Sequence, residues 1–143
     1  MLREALEHGP TTLRVKGNSM TPWIRPSDEV HVTAATGATV RAGEIVVFTD
    51  GGHLVVHRAI RRHRGGWVTR GDGRGDEDPW IADDRVVGVV TGIHLRWVHV
   101  PAAPRRVRAW IGRALIHGTP WIRRIARRVS APGPGSRDPR PPG

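Results

Sequence analysis

A serine inside a turn-forming segment is the first candidate for chemistry. The segment follows a strand-like stretch at 11–16 and reads Gly17-Asn18-Ser19-Met20-Thr21-Pro22. Glycine reaches backbone angles that other residues avoid and proline fixes the exit of the chain, so the turn would hold a side chain at the end of a rigid element. A hydroxyl held there, beside the backbone N–H groups of Asn18 and Ser19, suits a nucleophile with its own oxyanion donors. The competing interpretation is that Ser19 only closes the turn.

A nucleophilic serine needs a base to take its proton, and the sequence offers a histidine for this task. Lysine is nearly excluded as the base, because Lys16 is the only lysine of the chain. Arginine is excluded as well, because a side chain such as that of Arg58 does not deprotonate at working pH. Among eight histidines, His57 is distinguished because it lies within an apolar strand-like run at 53–60. The alternative is a half-exposed strand histidine with no catalytic role.

An acidic loop supplies candidates for the third member of such a site. Asp72 and Asp78 lie in the glycine- and acid-rich stretch 71–79, and either carboxylate could orient a histidine and stabilise its charged form. The alternatives are a solvated turn or a weak calcium site. We do not expect a metal, because the loop lacks the alternating ligands and the terminal glutamate of a calcium loop. No cofactor is expected either.

The elements that must position these residues read as short strands joined by tight turns. The strand-like segments are 11–16, 29–32, 44–48, 53–60, 67–70 and 85–98. Asp50-Gly51-Gly52 predicts a hairpin, and the basic stretch 61–66 predicts a further turn. Without a central helix, the pattern predicts an all-β, barrel-like domain over 11–100, preceded by a short helical segment at 1–10.

The charge of the chain is unevenly distributed. The net charge is +10, yet residues 101–143 contain ten arginines and a single acid, Asp138. Helical spacing of apolar residues predicts a basic amphipathic extension over 101–129, and the low-complexity stretch 130–143 predicts a disordered tail. The arginines from Arg105 to Arg128 could bind an anionic membrane surface, or the helices could pack on the β domain. Nucleic acid is not expected, because no base-stacking aromatic platform accompanies the arginines.

Cysteine and hydropathy patterns exclude several other classes. The chain has no cysteine, so a disulfide framework, a thiolate nucleophile and cysteine-bound zinc are excluded. Charged residues occupy the stretch 1–10 where a secretory signal would be apolar. The run Val86 to Leu95 is about half of the ~20 residues that a spanning helix needs. We therefore expect a cytoplasmic protein, with membrane contact only through the basic extension; the oligomeric state stays open.

Three short motifs together resemble the signal peptidase I family, in particular its endoplasmic-reticulum and archaeal branch, where histidine replaces the bacterial lysine. The motifs occur in the same order and read Gly17-x-Ser19-Met20-x-Pro22, Val56-His57-Arg58, and Thr69-Arg70-Gly71-Asp72 with Asp78-Pro79. The resemblance covers about Thr11 to Val98. It implies a coiled all-β fold and a serine endopeptidase with Ser19 as nucleophile, His57 as general base and Asp72 or Asp78 as the orienting acid.

The resemblance leaves the substrate and two other functions open. Family members usually carry an N-terminal membrane anchor, and we expect none here, so the substrate would be a dedicated peptide or protein. One alternative is an inactive peptidase-like domain that binds peptides as an added strand. The other is self-cleavage in the manner of LexA-type repressors, which share the fold but use a lysine and an N-terminal DNA-binding domain.

Overall fold

The computed structural model describes residues 1–95, residues 98–100 and residue 113. A short helix, α1, spans Leu2–Glu7, within the segment predicted to be helical. In the described residues eight strands follow it: β1 (Thr11–Arg14), β2 (Glu29–Ala34), β3 (Ile45–Asp50), β4 (His53–His63), β5 (Gly66–Arg70), β6 (Ile81–Ala82), β7 (Val86–Leu95) and β8 (Val98–Val100). The segments predicted for the basic extension (101–129) and the disordered tail (130–143) lie outside the described residues, except for Arg113, which is helical.

The eight strands form a single antiparallel sheet. Their order is β1-β2-β7-β3-β4-β5-β6, and β8 pairs with β7. The predicted all-β class is thereby confirmed. In the part of the chain that the structure describes, the sheet does not close on itself, because the strands at its two ends, β1 and β6, pair on one side only.

The positions of two turns determine where strands β3, β4 and β5 begin and end. Gly51 and Gly52 both have positive φ, at 53° and 82°, so the predicted hairpin joins β3 to β4 with a two-residue turn. The predicted turn at 61–66 is wrong in extent. Strand β4 continues to His63, and the turn is confined to Arg64 and Gly65, which have φ values of 43° and 67°. Arg61, Arg62 and His63 at the end of β4 are all exposed. Long basic side chains extend into solvent from either face of a strand, so their charge alone does not end it.

The core lies on both faces of the central strands. Val47 packs in one buried cluster with Met20, Val32 and Val87, whereas Val46 packs in a second cluster. The second cluster also contains Phe48, Ala59, Trp67, Ile81 and Val86. Successive side chains of a strand point to opposite faces, so β3 and β7 are covered on both sides. Strand β4 pairs with β3 beside this doubly covered centre, and its middle residues, His57 to Ala59, are buried there.

Within the described residues, no helix is long and apolar enough to cross a membrane.

Candidate active site

The Ser19 turn is held in place by the core beneath it. Met20 and Ile24, which follow the serine, are buried at 1% and 0% exposure. Backbone hydrogen bonds from Thr21 N–H to the Asn18 carbonyl (3.1 Å) and from Ile24 N–H to the Met20 carbonyl (3.1 Å) close two successive turns. Ser19 itself is half-buried and faces a cleft. Burial of its neighbours thus fixes the serine without covering its hydroxyl.

His57 stands on the middle of β4 and reaches the serine. Its side chain is buried, contrary to the half-exposed alternative, and its ring packs edge-on against Phe48 with 6.2 Å between ring centroids. The His57 Nε2 atom lies 2.9 Å from the Ser19 Oγ atom. This is hydrogen-bond distance, and a base must reach it to remove the hydroxyl proton.

Asp78 occupies the other side of the imidazole. Its Oδ2 atom lies 2.5 Å from His57 Nδ1, and the same oxygen accepts a hydrogen bond of 2.8 Å from the Thr69 hydroxyl. The Asp78 backbone N–H also donates to the Thr69 carbonyl at 2.8 Å. A carboxylate beside Nδ1 favours the tautomer that carries its proton there, which leaves Nε2 free to accept the Ser19 proton.

Asp72, the other predicted acid, is not at the histidine. Its two carboxylate oxygens accept hydrogen bonds from Arg58 Nε (2.7 Å) and Arg58 Nη2 (2.5 Å), and Arg58 Nη1 donates to the Gly43 carbonyl at 2.8 Å. Of the two predicted acids, Asp78 is therefore the one that contacts His57. The physical reason is that adjacent residues of β4 point in different directions, so His57 and Arg58 each take one of the two aspartates.

Two residues of this site, Thr69 and Gly71, have roles that the sequence did not predict. Thr69 positions Asp78, and Gly71 allows the loop to approach Ser19 and His57. A Cβ at Gly71 would lie 2.5 Å from the Ser19 carbonyl oxygen and 3.2 Å from His57 Nε2, so only glycine fits. The motif Thr69-Arg70-Gly71-Asp72 contains both residues, but their roles depend on the pairing of β5 with β4, which the sequence does not display.

The same loop is bonded directly to the serine turn. Gly73 N–H donates to the Ser19 carbonyl at 2.8 Å, and Asp72 N–H contacts the Met20 Sδ atom at 3.4 Å. The acidic loop therefore ties Ser19, Asp72 and Asp78 into one unit. Loop residues that are hydrogen-bonded at both ends hold a site more firmly than a solvated turn would.

A cleft of about 840 Å³ opens onto the pair. Its lining includes the segment 13–17, which contains the end of β1, residues 53–57 of β4, and Pro79, Trp80 and Ile81. Ser19, His57 and Asp78 all contribute to its lining. Leu54 and Trp80 are exposed at 45% and 46%, so the walls present large apolar side chains to an occupant.

The described residues contain no group of three or more His, Asp or Glu side chains that could hold a metal ion. The acids of the site are engaged by His57, Thr69 and Arg58.

The comparison with family models adds an independent observation. Residues 6–69 match the model described as Peptidase S24-like. This S24-like segment contains Ser19 and His57 and ends before both aspartates. The match relates the domain, in the broad sense, to the S24, LexA-type peptidases. No curated protein matches the chain significantly.

Proposed function

We propose that this domain is a serine endopeptidase of the signal peptidase I type, with Ser19 as nucleophile, His57 as general base and Asp78 as the residue that orients the histidine. One observation carries the proposal: a continuous hydrogen-bonded path from the Ser19 hydroxyl through both nitrogens of His57 to Asp78, in the wall of a cleft. A serine that only closes its turn needs no buried imidazole at its hydroxyl, so the path favours the catalytic interpretation.

The proposed mechanism assigns a group of this chain to each step of amide hydrolysis. His57 Nε2 takes the hydroxyl proton as Ser19 Oγ attacks the carbonyl carbon, and Asp78 stabilises the imidazolium that forms. Backbone N–H groups at Asn18 and Ser19 are the proposed donors to the oxyanion. His57 then returns the proton to the leaving amine, and a water molecule, activated by the same nitrogen, hydrolyses the acyl-enzyme.

The free edge of β1 offers a place for the substrate backbone. In the described part of the chain, β1 pairs only with β2, and Leu13 and Arg14 of this strand line the cleft. An extended peptide can add to such an edge through main-chain hydrogen bonds, with alternate side chains entering the cleft. This arrangement would present a peptide bond to Ser19 without any covalent attachment of the substrate to the chain.

Self-cleavage is the second candidate, because the S24-like match points to LexA-type peptidases. The histidine distinguishes the two interpretations, since the LexA type uses a lysine as its base and the lysine of this chain, Lys16, is exposed. Incubation of the purified chain separates them further. Intramolecular self-cleavage would shorten the chain at a rate independent of protein concentration, whereas a peptidase acting on other molecules would cleave added peptides without cleaving itself.

The test is covalent labelling by a fluorophosphonate probe, which reacts only with activated serines. We expect labelling of the unaltered chain and none of Ser19→Ala. The matched control is Ser27→Gly, because Ser27 is exposed and has a φ of 77°, where glycine is free of strain. Absence of labelling in the folded, unaltered chain would leave the inactive, peptide-binding alternative in its place.

A further inference from the structure

Two cations in the cleft have no acidic partner within the described residues. The charged side chains of the lining, apart from histidines, are Arg14, Lys16, Asp50, Arg74, Asp78 and Arg85. Arg14 is paired with Glu29 at 3.1 Å and Arg85 with Asp50 at 2.8 Å, while Asp78 is engaged by His57. Lys16 and Arg74 remain, and both are exposed.

These two cations lie in segments adjacent to the Ser19 turn. Lys16 lies three residues before Ser19 and lines the cleft. Arg74 lies in the loop that contacts this turn, where the neighbouring Gly73 N–H donates to the Ser19 carbonyl at 2.8 Å. Arg74 is itself fixed by a backbone hydrogen bond of 2.9 Å to the Gly71 carbonyl. Positive charge therefore stands near Ser19 on two separate elements of the cleft.

Resting on the proposed function, we infer that the cleft selects acidic peptides, whose aspartate or glutamate side chains lie close to the bond presented to Ser19. The apolar walls around Leu54 and Trp80 bind side chains of any apolar segment, and so they do not discriminate by charge. Uncompensated cations in a concave site concentrate anionic ligands and raise their association rate. A peptide carboxylate near the scissile bond would form ion pairs with Lys16 and Arg74.

The general basicity of the chain is an insufficient explanation for such a preference. Most of the net charge of +10 lies in residues 101–143, outside the S24-like segment. Attraction to that basic region would be indifferent to single substitutions in the cleft. Variants at Lys16 and Arg74 therefore separate selection by the cleft from nonspecific attraction to the whole chain.

The experiment measures peptide binding to Ser19→Ala by calorimetry, so that no turnover intervenes. The probes are short alanine- and valine-rich peptides in which a single glutamate is scanned along the sequence, with glutamine at the same position as the neutral counterpart. We expect the glutamate peptide to bind roughly two- to fivefold more tightly per cation engaged. The preference should disappear in K16Q/R74Q, persist in R64Q, and weaken as salt is raised. Arg64 is the matched control because it is exposed in the turn between β4 and β5 and does not line the cleft.

Equal binding of the two peptides, no binding of either, or a preference that survives in K16Q/R74Q would overturn the inference. Its failure is distinguishable from that of the proposed function. Labelled Ser19 with charge-blind peptide binding removes only the acidic selectivity. Unlabelled Ser19 with a preference that depends on Lys16 and Arg74 removes the peptidase activity and leaves an acidic-peptide-binding cleft.

Discussion

The Nε2 atom of His57 lies 2.9 Å from the Oγ atom of Ser19, although 38 residues of chain separate them. Two different constraints produce this contact. The turn that carries the serine is fixed by the buried Met20 and Ile24, and the histidine is fixed by the pairing of β4 with β3. Because each side chain has its own support, the pair is preorganised, and its function can be tested by substitutions that change one support at a time.

Replacing the base with glutamine tests whether His57 acts in proton transfer. His57→Gln keeps a polar side chain of similar size but cannot accept the hydroxyl proton. We expect fluorophosphonate labelling and peptide cleavage to fall by about 10²- to 10⁴-fold, the usual contribution of a general base. Circular dichroism should show an unchanged fold. Labelling at the rate of the unaltered chain would show that Ser19 is activated by another group.

Introducing lysine at the same position tests why this site holds a histidine. His57→Lys places an ammonium group beside Asp78. The negative charge of the Asp78 carboxylate keeps the amine protonated, so that it cannot act as a base. We expect His57→Lys to be inactive and the double variant His57→Lys/Asp78→Asn to regain part of the labelling rate. Equal activity of the single and double variants would contradict the role assigned to Asp78.

Removing the charge of Asp78 should affect catalysis more than binding. Asp78→Asn removes the negative charge and introduces an amide NH2 group that can donate to His57 Nδ1, so the wrong tautomer becomes populated. We expect the turnover rate to fall by up to about 10⁴-fold with little change in peptide affinity. Thr69→Val removes one hydrogen bond to the same oxygen and should cause a smaller decrease. Its unfolding free energy should fall by about 1–3 kcal/mol in urea titrations, since a buried hydrogen bond to a charged group is lost.

A methyl group at Gly71 should separate the catalytic pair. Gly71→Ala puts a Cβ 2.5 Å from the Ser19 carbonyl oxygen and 3.0 Å from the Ser19 Cβ, so the loop or the serine turn must shift. We expect loss of most labelling. The matched control is Gly75→Ala in the same loop, where an added Cβ meets nothing within 4 Å. If Gly71→Ala and Gly75→Ala label equally well, the close approach of the loop is unnecessary for activity.

The Arg58–Asp72 ion pair should stabilise the loop through its burial. Arg58 is 5% exposed, so Asp72→Ala leaves a buried guanidinium without its carboxylate, at a cost of about 3–5 kcal/mol in unfolding free energy. The exposed pair of Arg61 and Glu77 serves as the control, and Glu77→Ala should cost less than about 1 kcal/mol. Chemical denaturation measures both changes. Similar values for the two variants would show that the buried pair has no special structural role.

The sequence alone indicated the all-β architecture and the candidate residues Ser19 and His57, for reasons that are local. Alternation of apolar and polar residues specifies strands, and Gly51-Gly52 specifies a hairpin because both positions need positive φ. A chain with no cysteine and one lysine leaves histidine as the candidate base for a serine, and His57 is distinguished from the other histidines by its apolar neighbours. These properties depend on residue type and on immediate neighbours, which the sequence displays directly.

Only the tertiary structure decided which aspartate bonds to His57 and at which glycine of the loop a side chain would clash. Asp72 and Asp78 lie in one loop, and composition cannot distinguish them. The choice follows from the direction of adjacent side chains on β4, from the register of β4 with β5, and from the bond that ties Gly73 to Ser19. Such contacts join residues distant in the chain, so their partners are set by how the strands pack and not by the order of residues.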